Sequence, residues 1–171
     1  MAEDFSVNVS LGHGKEVLER LAEVPELLAH NLTVAMLEAE LLLEREAKIK
    51  APVGVGGAAG LRGSIAAIPP FMDGDTLTGG IGTSAPYAVP VELGSKPHFP
   101  PVQPLADWVT AKLGVGDPTE AKGIAFCIAR KIAAHGTKGR HFFKAALNDN
   151  EPAIKAMFDK AVTSTLEGIE L

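Results

Sequence analysis

One cysteine, one tryptophan and one tyrosine in 171 residues are the first features of this chain, and each scarcity excludes something. With Cys127 alone there is no disulfide framework within the chain, and a reducing compartment is expected. Cys127 lies in the apolar run Ile124–Ala129, so it is expected to be a buried small residue and not a nucleophile. Aromatic residues make up only 5%, so the core must rely on close packing of small side chains rather than on a few large anchors. Excess positive charge is lacking as well. The formal charge of −5 argues against a surface that grips nucleic acid, because phosphate neutralisation supplies most of that affinity. No apolar run reaches bilayer length, and Met1-Ala2-Glu3-Asp4 is acidic where a secretory signal is basic. A soluble, cytoplasmically made protein of one domain is expected.

What is present falls into order along the chain. Phe5–Leu11 alternates apolar and polar residues, the period of a half-buried strand with Phe5, Val7, Val9 and Leu11 inward. A short helix over about 15–23 follows, and Pro25 reads as the start of a longer one running to about Lys50. That helix carries two apolar stripes. Leu28, Leu32, Ala35, Ala39, Leu42 and Ile49 form one; Val34, Leu37 and Leu41 form the other. Two stripes imply cover on more than one side: the sheet on one, C-terminal helices or a neighbouring subunit on the other.

Ala51-Pro52 stops the helix, and a glycine-rich turn leads into a strand over 61–68. Pro69-Pro70 and Asp73-Gly74-Asp75 bound a loop, and Thr76–Thr83 returns as the partner strand. Gly79, Gly80 and Gly82 in that strand suggest that another backbone comes close. Tyr87–Leu93 reads as a third strand, with Pro90 placing it at an edge or marking a bulge. After an extended connector over 96–104 come a helix to about Leu113 and another from Pro118 to about His135, capped by Asp117 and Gly136. Phe142–Leu147 is a short helix or extended piece, and Pro152 opens the terminal helix. The fold class is therefore α+β: a small, mainly antiparallel sheet on a long N-terminal helix, with a helical insertion at about 104–136 and C-terminal helices. One domain holds all of it, its core at about 5–96 and 139–171.

Few patterns here suggest chemistry. Gly54–Ala59 nominally satisfies the dinucleotide pattern, but it follows a helix and precedes a strand, the reverse of the required order. No cofactor is expected. The five histidines have no metal-ligand spacing. Ser64, His98 and Asp107 make a triad only on paper, because Ser64 lacks a nucleophile-elbow context. No catalytic or metal residue is assigned, and the chain is not expected to be an enzyme. Glu92, an acid among apolar residues, reads either as a solvent-facing charge at a sheet edge or as the partner of Arg62. Lys122, Arg130, Lys131, Lys138, Arg140 and Lys144 make 122–144 the one basic stretch. A solvated helix face is its plain explanation.

The run Ala51-Pro52, glycines, Gly60-Leu61-Arg62-Gly63-Ser64-Ile65, then Ala85-Pro86-Tyr87-Ala88 and Val91-Glu92-Leu93-Gly94-Ser95 resembles the tail-completion, or head–tail joining, family of long-tailed bacteriophages. The resemblance covers about residues 25–96, and His141–Ala146 offers a match to the end of the family pattern. Two departures stand out: the longer glycine run before Gly60, and the insertion at about 104–136. The resemblance implies a structural virion protein of the neck, a hexameric ring between capsid connector and tail tube. Its partners would be copies of itself, a head-completion or adaptor protein, and a tail-tube or tail-terminator protein. DNA would pass through the channel as cargo, and no membrane is involved. Leu61, Arg62, Tyr87, Glu92, Phe71 and Met72 are the expected interface residues. Rival readings are a nucleic-acid-binding module using 122–144 and a small enzyme with a pocket under the Pro97–Pro104 connector.

Overall fold

A computed structural model describes residues 14–54, 60–73 and 76–168. The expected strand at Phe5–Leu11 and most of the glycine run lie outside the described residues. Six helices and four short strands follow in the order α1 (Gly14–Lys50), α2 (Leu61–Ser64), β1 (Ile65–Asp73), β2 (Thr76–Thr83), α3 (Ala88–Leu93), β3 (Gly94–Ser95), α4 (Val102–Leu113), α5 (Pro118–His135), β4 (Thr137–Lys138) and α6 (Phe142–Glu167). This is an α+β fold, with the β1–β2 hairpin and α6 packed on the long helix α1.

Helix α1 is one element of 37 residues, about 55 Å long, and not two helices meeting at Pro25. Pro25 is exposed, so its ring meets water and not a packed neighbour. Proline removes one helical hydrogen bond, but it does not end a helix that continues on both sides. Pro152 behaves the same way inside α6, which runs unbroken from Phe142 and absorbs the expected separate piece at Phe142–Leu147.

The hairpin pairs Ile65 with Thr83 at its base and Asp73 with Thr76 at its far end. Pro69 and Pro70 belong to strand β1 and not to a loop. The register shifts between Ile68 and Phe71, which places the two prolines, with no N–H to donate, in a bulge. Leu61–Ser64 forms one helical turn where the sequence suggested strand, and Ser64 Oγ returns a hydrogen bond to the Leu61 carbonyl at 2.9 Å. The expected third strand is helix α3. Pro90 is its third residue, inside the first turn, where no N–H is needed for the helix ladder.

Two clusters make the interior. One joins Ala47 and Ala51 of α1, Leu61, Ile65, Ala88, and Phe142 and Ala146 of α6. The other is formed by α4 and α5 alone, through Ala106, Val109, Ala121 and Ala125. Alanines dominate both, as the shortage of aromatics requires. On α5 the alanines at 121, 125 and 129 are fully buried, and the isoleucines beside them are half-buried. Cys127 is exposed, contrary to expectation, because the apolar run winds around the helix and part of it faces away from α4.

Glu40 is the unusual member of the packing between α1 and the hairpin. It is 1% exposed and accepts a hydrogen bond from the Gly80 N–H at 2.9 Å, while its Oε2 has no partner among the described residues. A Cβ at Gly79 would overlap Glu40 Oε1, so that glycine makes room for a carboxylate and not for another backbone. Burial pushes the Glu40 carboxyl up from its ordinary value, opposed in part by the Gly80 N–H. One turn on, Glu44 pairs with Lys48 and accepts from the Ala67 N–H at 2.8 Å, and these hold its carboxyl below the ordinary range. The two carboxylates therefore act in opposite directions. Stability from Glu44 is present above the ordinary carboxylate pKa and is lost as pH falls. The contribution of Glu40 is present below that pKa and is lost as pH rises through its elevated folded value. Glu40→Gln keeps an acceptor for Gly80 and removes the buried charge. The fall in melting temperature between about pH 5 and about pH 8 is expected to be smaller in the variant than in the parent. An equal fall in both would show that Glu40 does not ionise against folding.

Candidate functional site

The six expected interface residues separate into two groups. Phe71 and Met72 at the far end of the hairpin are 51% and 57% exposed, and Tyr87 is also exposed. Leu61, by contrast, is 3% exposed and belongs to the core cluster, so it cannot contact a neighbour. Its position is explained by the single turn of α2, which folds the side chain inward over Ala47 and Ala51.

Arg62 and Glu92 do not pair with one another. Arg62 Nη2 donates to the carbonyls of Ile49 at 3.3 Å and Ala51 at 2.9 Å, closing the C-terminal end of α1. Glu92 reaches the start of α6, where its two oxygens accept from the N–H groups of Phe143 at 3.0 Å and Lys144 at 3.1 Å. The preceding residue, His141, has φ 51° and no capping side-chain bond of its own. A residue from a distant helix therefore caps α6. Backbone bonds from Arg140 N to the Val91 carbonyl and from His141 N to the Glu92 carbonyl seat the two segments together. Three glycines permit that approach. Gly94 and Gly136 have φ of 85° and 67°, and a Cβ on Gly94, Gly136 or Gly139 would meet backbone atoms of the opposing segment.

The triad residues are engaged elsewhere. Ser64 Oγ lies 2.6 Å from Thr83 Oγ1, His98 Nδ1 is 2.9 Å from the Lys96 carbonyl, and Asp107 accepts from Gln103. Among the described residues no three histidine, cysteine or acidic side chains gather as metal ligands. Asn31 donates to Thr165 Oγ1 at 2.9 Å, a packing contact between α1 and α6.

Several large side chains at the surface are apolar. Of the two stripes on α1, the first packs inward over most of its length, with only Ile49 exposed at its end. The second stripe, Val34, Leu37 and Leu41, is exposed to solvent and continues to Leu27. The hairpin and α6 cover two sides of α1, and among the described residues a third apolar side is left bare. Ile68 joins Phe71 and Met72 as exposed apolar residues on the hairpin. An apolar notch of about 170 Å³ lies at the hairpin's base, between Thr83, α3 and Phe143.

A larger open cleft, about 830 Å³, lies between the core and the α4–α5 pair. Pro52, Pro90, Leu105, Trp108, Lys138 and Arg140 contribute to its walls. Sequence reading missed this site. Its residues come from four separated segments, and only Lys138 and Arg140 carried a signal, as part of the basic stretch.

No protein-family model matches the chain, and no curated protein or solved structure matches it. Among the described residues no helix is long and apolar enough to cross a membrane.

Proposed function

We propose that this chain is a structural virion protein of the head–tail neck of a long-tailed bacteriophage, forming a ring that joins capsid to tail around the DNA channel. The observation that carries the reading is the bare third side of α1, Val34, Leu37 and Leu41, together with the exposed Ile68, Phe71 and Met72 on the hairpin. Grouped apolar side chains left in water mark surfaces that another protein covers. Their position on two different elements suits a head-to-tail assembly, which needs two unlike faces on each subunit. The residue pattern from Ala51 to Ser95 supplies the assignment to the neck in particular.

The test is electron microscopy of particles assembled without this chain. Filled heads and complete tails, side by side and unjoined, are the expected result. Normally joined particles would remove the proposal.

A further inference from the structure

The cleft between the core and the α4–α5 pair combines features that match one segment of this same chain. Trp108 is exposed at its wall, and Lys138 and Arg140 add two positive charges. Among the described residues neither cation forms an ion pair. In a chain of net charge −5, a basic cleft without an ion pair among the described residues, beside an aromatic surface, selects an acidic and aromatic ligand. The segment ahead of α1 begins Glu3-Asp4-Phe5-Ser6-Val7 and has that composition.

We propose that the cleft receives residues 3–7 of a second copy, with Glu3 and Asp4 on Lys138 and Arg140 and Phe5 against Trp108. The segment's own chain cannot serve. Pro52, in the cleft wall, lies just past the C-terminal end of α1, while the segment joins α1 at Gly14. The helix separates these ends by roughly 54 Å. Fully extended, the ten steps from Gly14 back to Asp4 cover only about 34 Å. Strand β4 offers a second attraction: among the described residues it pairs with β3 alone, so an extended segment can add beside it.

Because donor and acceptor sit at opposite ends of α1, the contact is heterologous and each copy passes it on to the next. It closes into a ring when the rotation permits. The inference rests on the assembly reading only for that closure.

A charge exchange in the full chain tests it. Glu3→Lys with Asp4→Lys, and separately Lys138→Glu with Arg140→Glu, are each expected to weaken self-association roughly tenfold or more in sedimentation equilibrium. Joining all four substitutions should restore most of the loss, which a merely structural effect would not do. Trp108 is the only tryptophan, so its emission reports cleft occupancy directly. A blue shift with rising protein concentration is expected in the parent and not in Phe5→Ala. The proposal is overturned if the parent stays monomeric, if the exchanges leave association unchanged, or if the combined variant is no better than the weaker pair. Emission that responds to a single-stranded oligonucleotide and not to self-association would overturn it too. Unjoined heads and tails without the chain, together with a failed charge exchange, would remove this contact and leave the neck assignment standing.

Discussion

Phe142→Ala is expected to cost about 3–5 kcal/mol, the largest loss from any single truncation in the main core. Phe142 is 1% exposed and is the largest fully buried side chain of the described residues. Its neighbours are mostly alanines, with Leu61 and Ile65, and its ring lies 4.5 Å from that of Phe143. Alanine side chains have no rotamers with which to fill a vacated space, so the cavity would persist. A typical domain has only about 5–15 kcal/mol of stability, and this loss would bring the variant close to unfolding at physiological temperature. Phe142→Leu keeps most of the volume and should lose less than about 1.5 kcal/mol. Urea unfolding followed by circular dichroism decides the matter. A loss under about 1.5 kcal/mol for Phe142→Ala would mean that the alanine-rich cluster collapses around the gap, contrary to the packing described here.

Glu92→Ala is the second large effect, at about 2–3 kcal/mol. The carboxylate accepts from two N–H groups in the first turn of α6, where the helix has unsatisfied donors and a partial positive charge. Hydrogen bonds to a charged acceptor are individually worth more than neutral ones, and this side chain is half-buried, which limits replacement by water. Glu92→Gln retains one acceptor oxygen and should recover about half of the loss. The effect should appear as early loss of amide protection in the first turn of α6, measured by hydrogen exchange. Unchanged protection at Phe143 and Lys144 in the alanine variant would show that the cap does not hold the helix. The proposed assembly role predicts no special effect of Glu92 on association beyond its effect on folding, since the side chain is spent within the subunit.

The corrections between sequence and structure share a physical cause. Proline was read as a boundary at Pro25, Pro69 and Pro152 and as the mark of an edge strand at Pro90, and at none of these positions does an element stop. Pro90 falls in a first turn, Pro69 in a bulge, and the other two on exposed parts of long helices, all places where a missing N–H is tolerated. Local rules report what a residue disfavours; the packing around it decides whether that cost is accepted. Glu92 shows the limit more sharply. Its partners lie about fifty positions away, and nothing within ten residues of it foretells a helix end. The cleft was illegible for the same reason.

By itself, the amino-acid sequence determined the α+β class, the long helix and its two apolar stripes, the β1–β2 pairing, and the caps of α5, because periodicity and capping act over one or two turns. Only the tertiary structure decided which stripe is covered, that Leu61 is interior, and that Glu92 closes α6. It also decided that Trp108, Lys138 and Arg140 face one space. Those outcomes depend on segments brought together from far apart in the chain, where the free energy is settled by mutual fit and exclusion of water and not by any local preference.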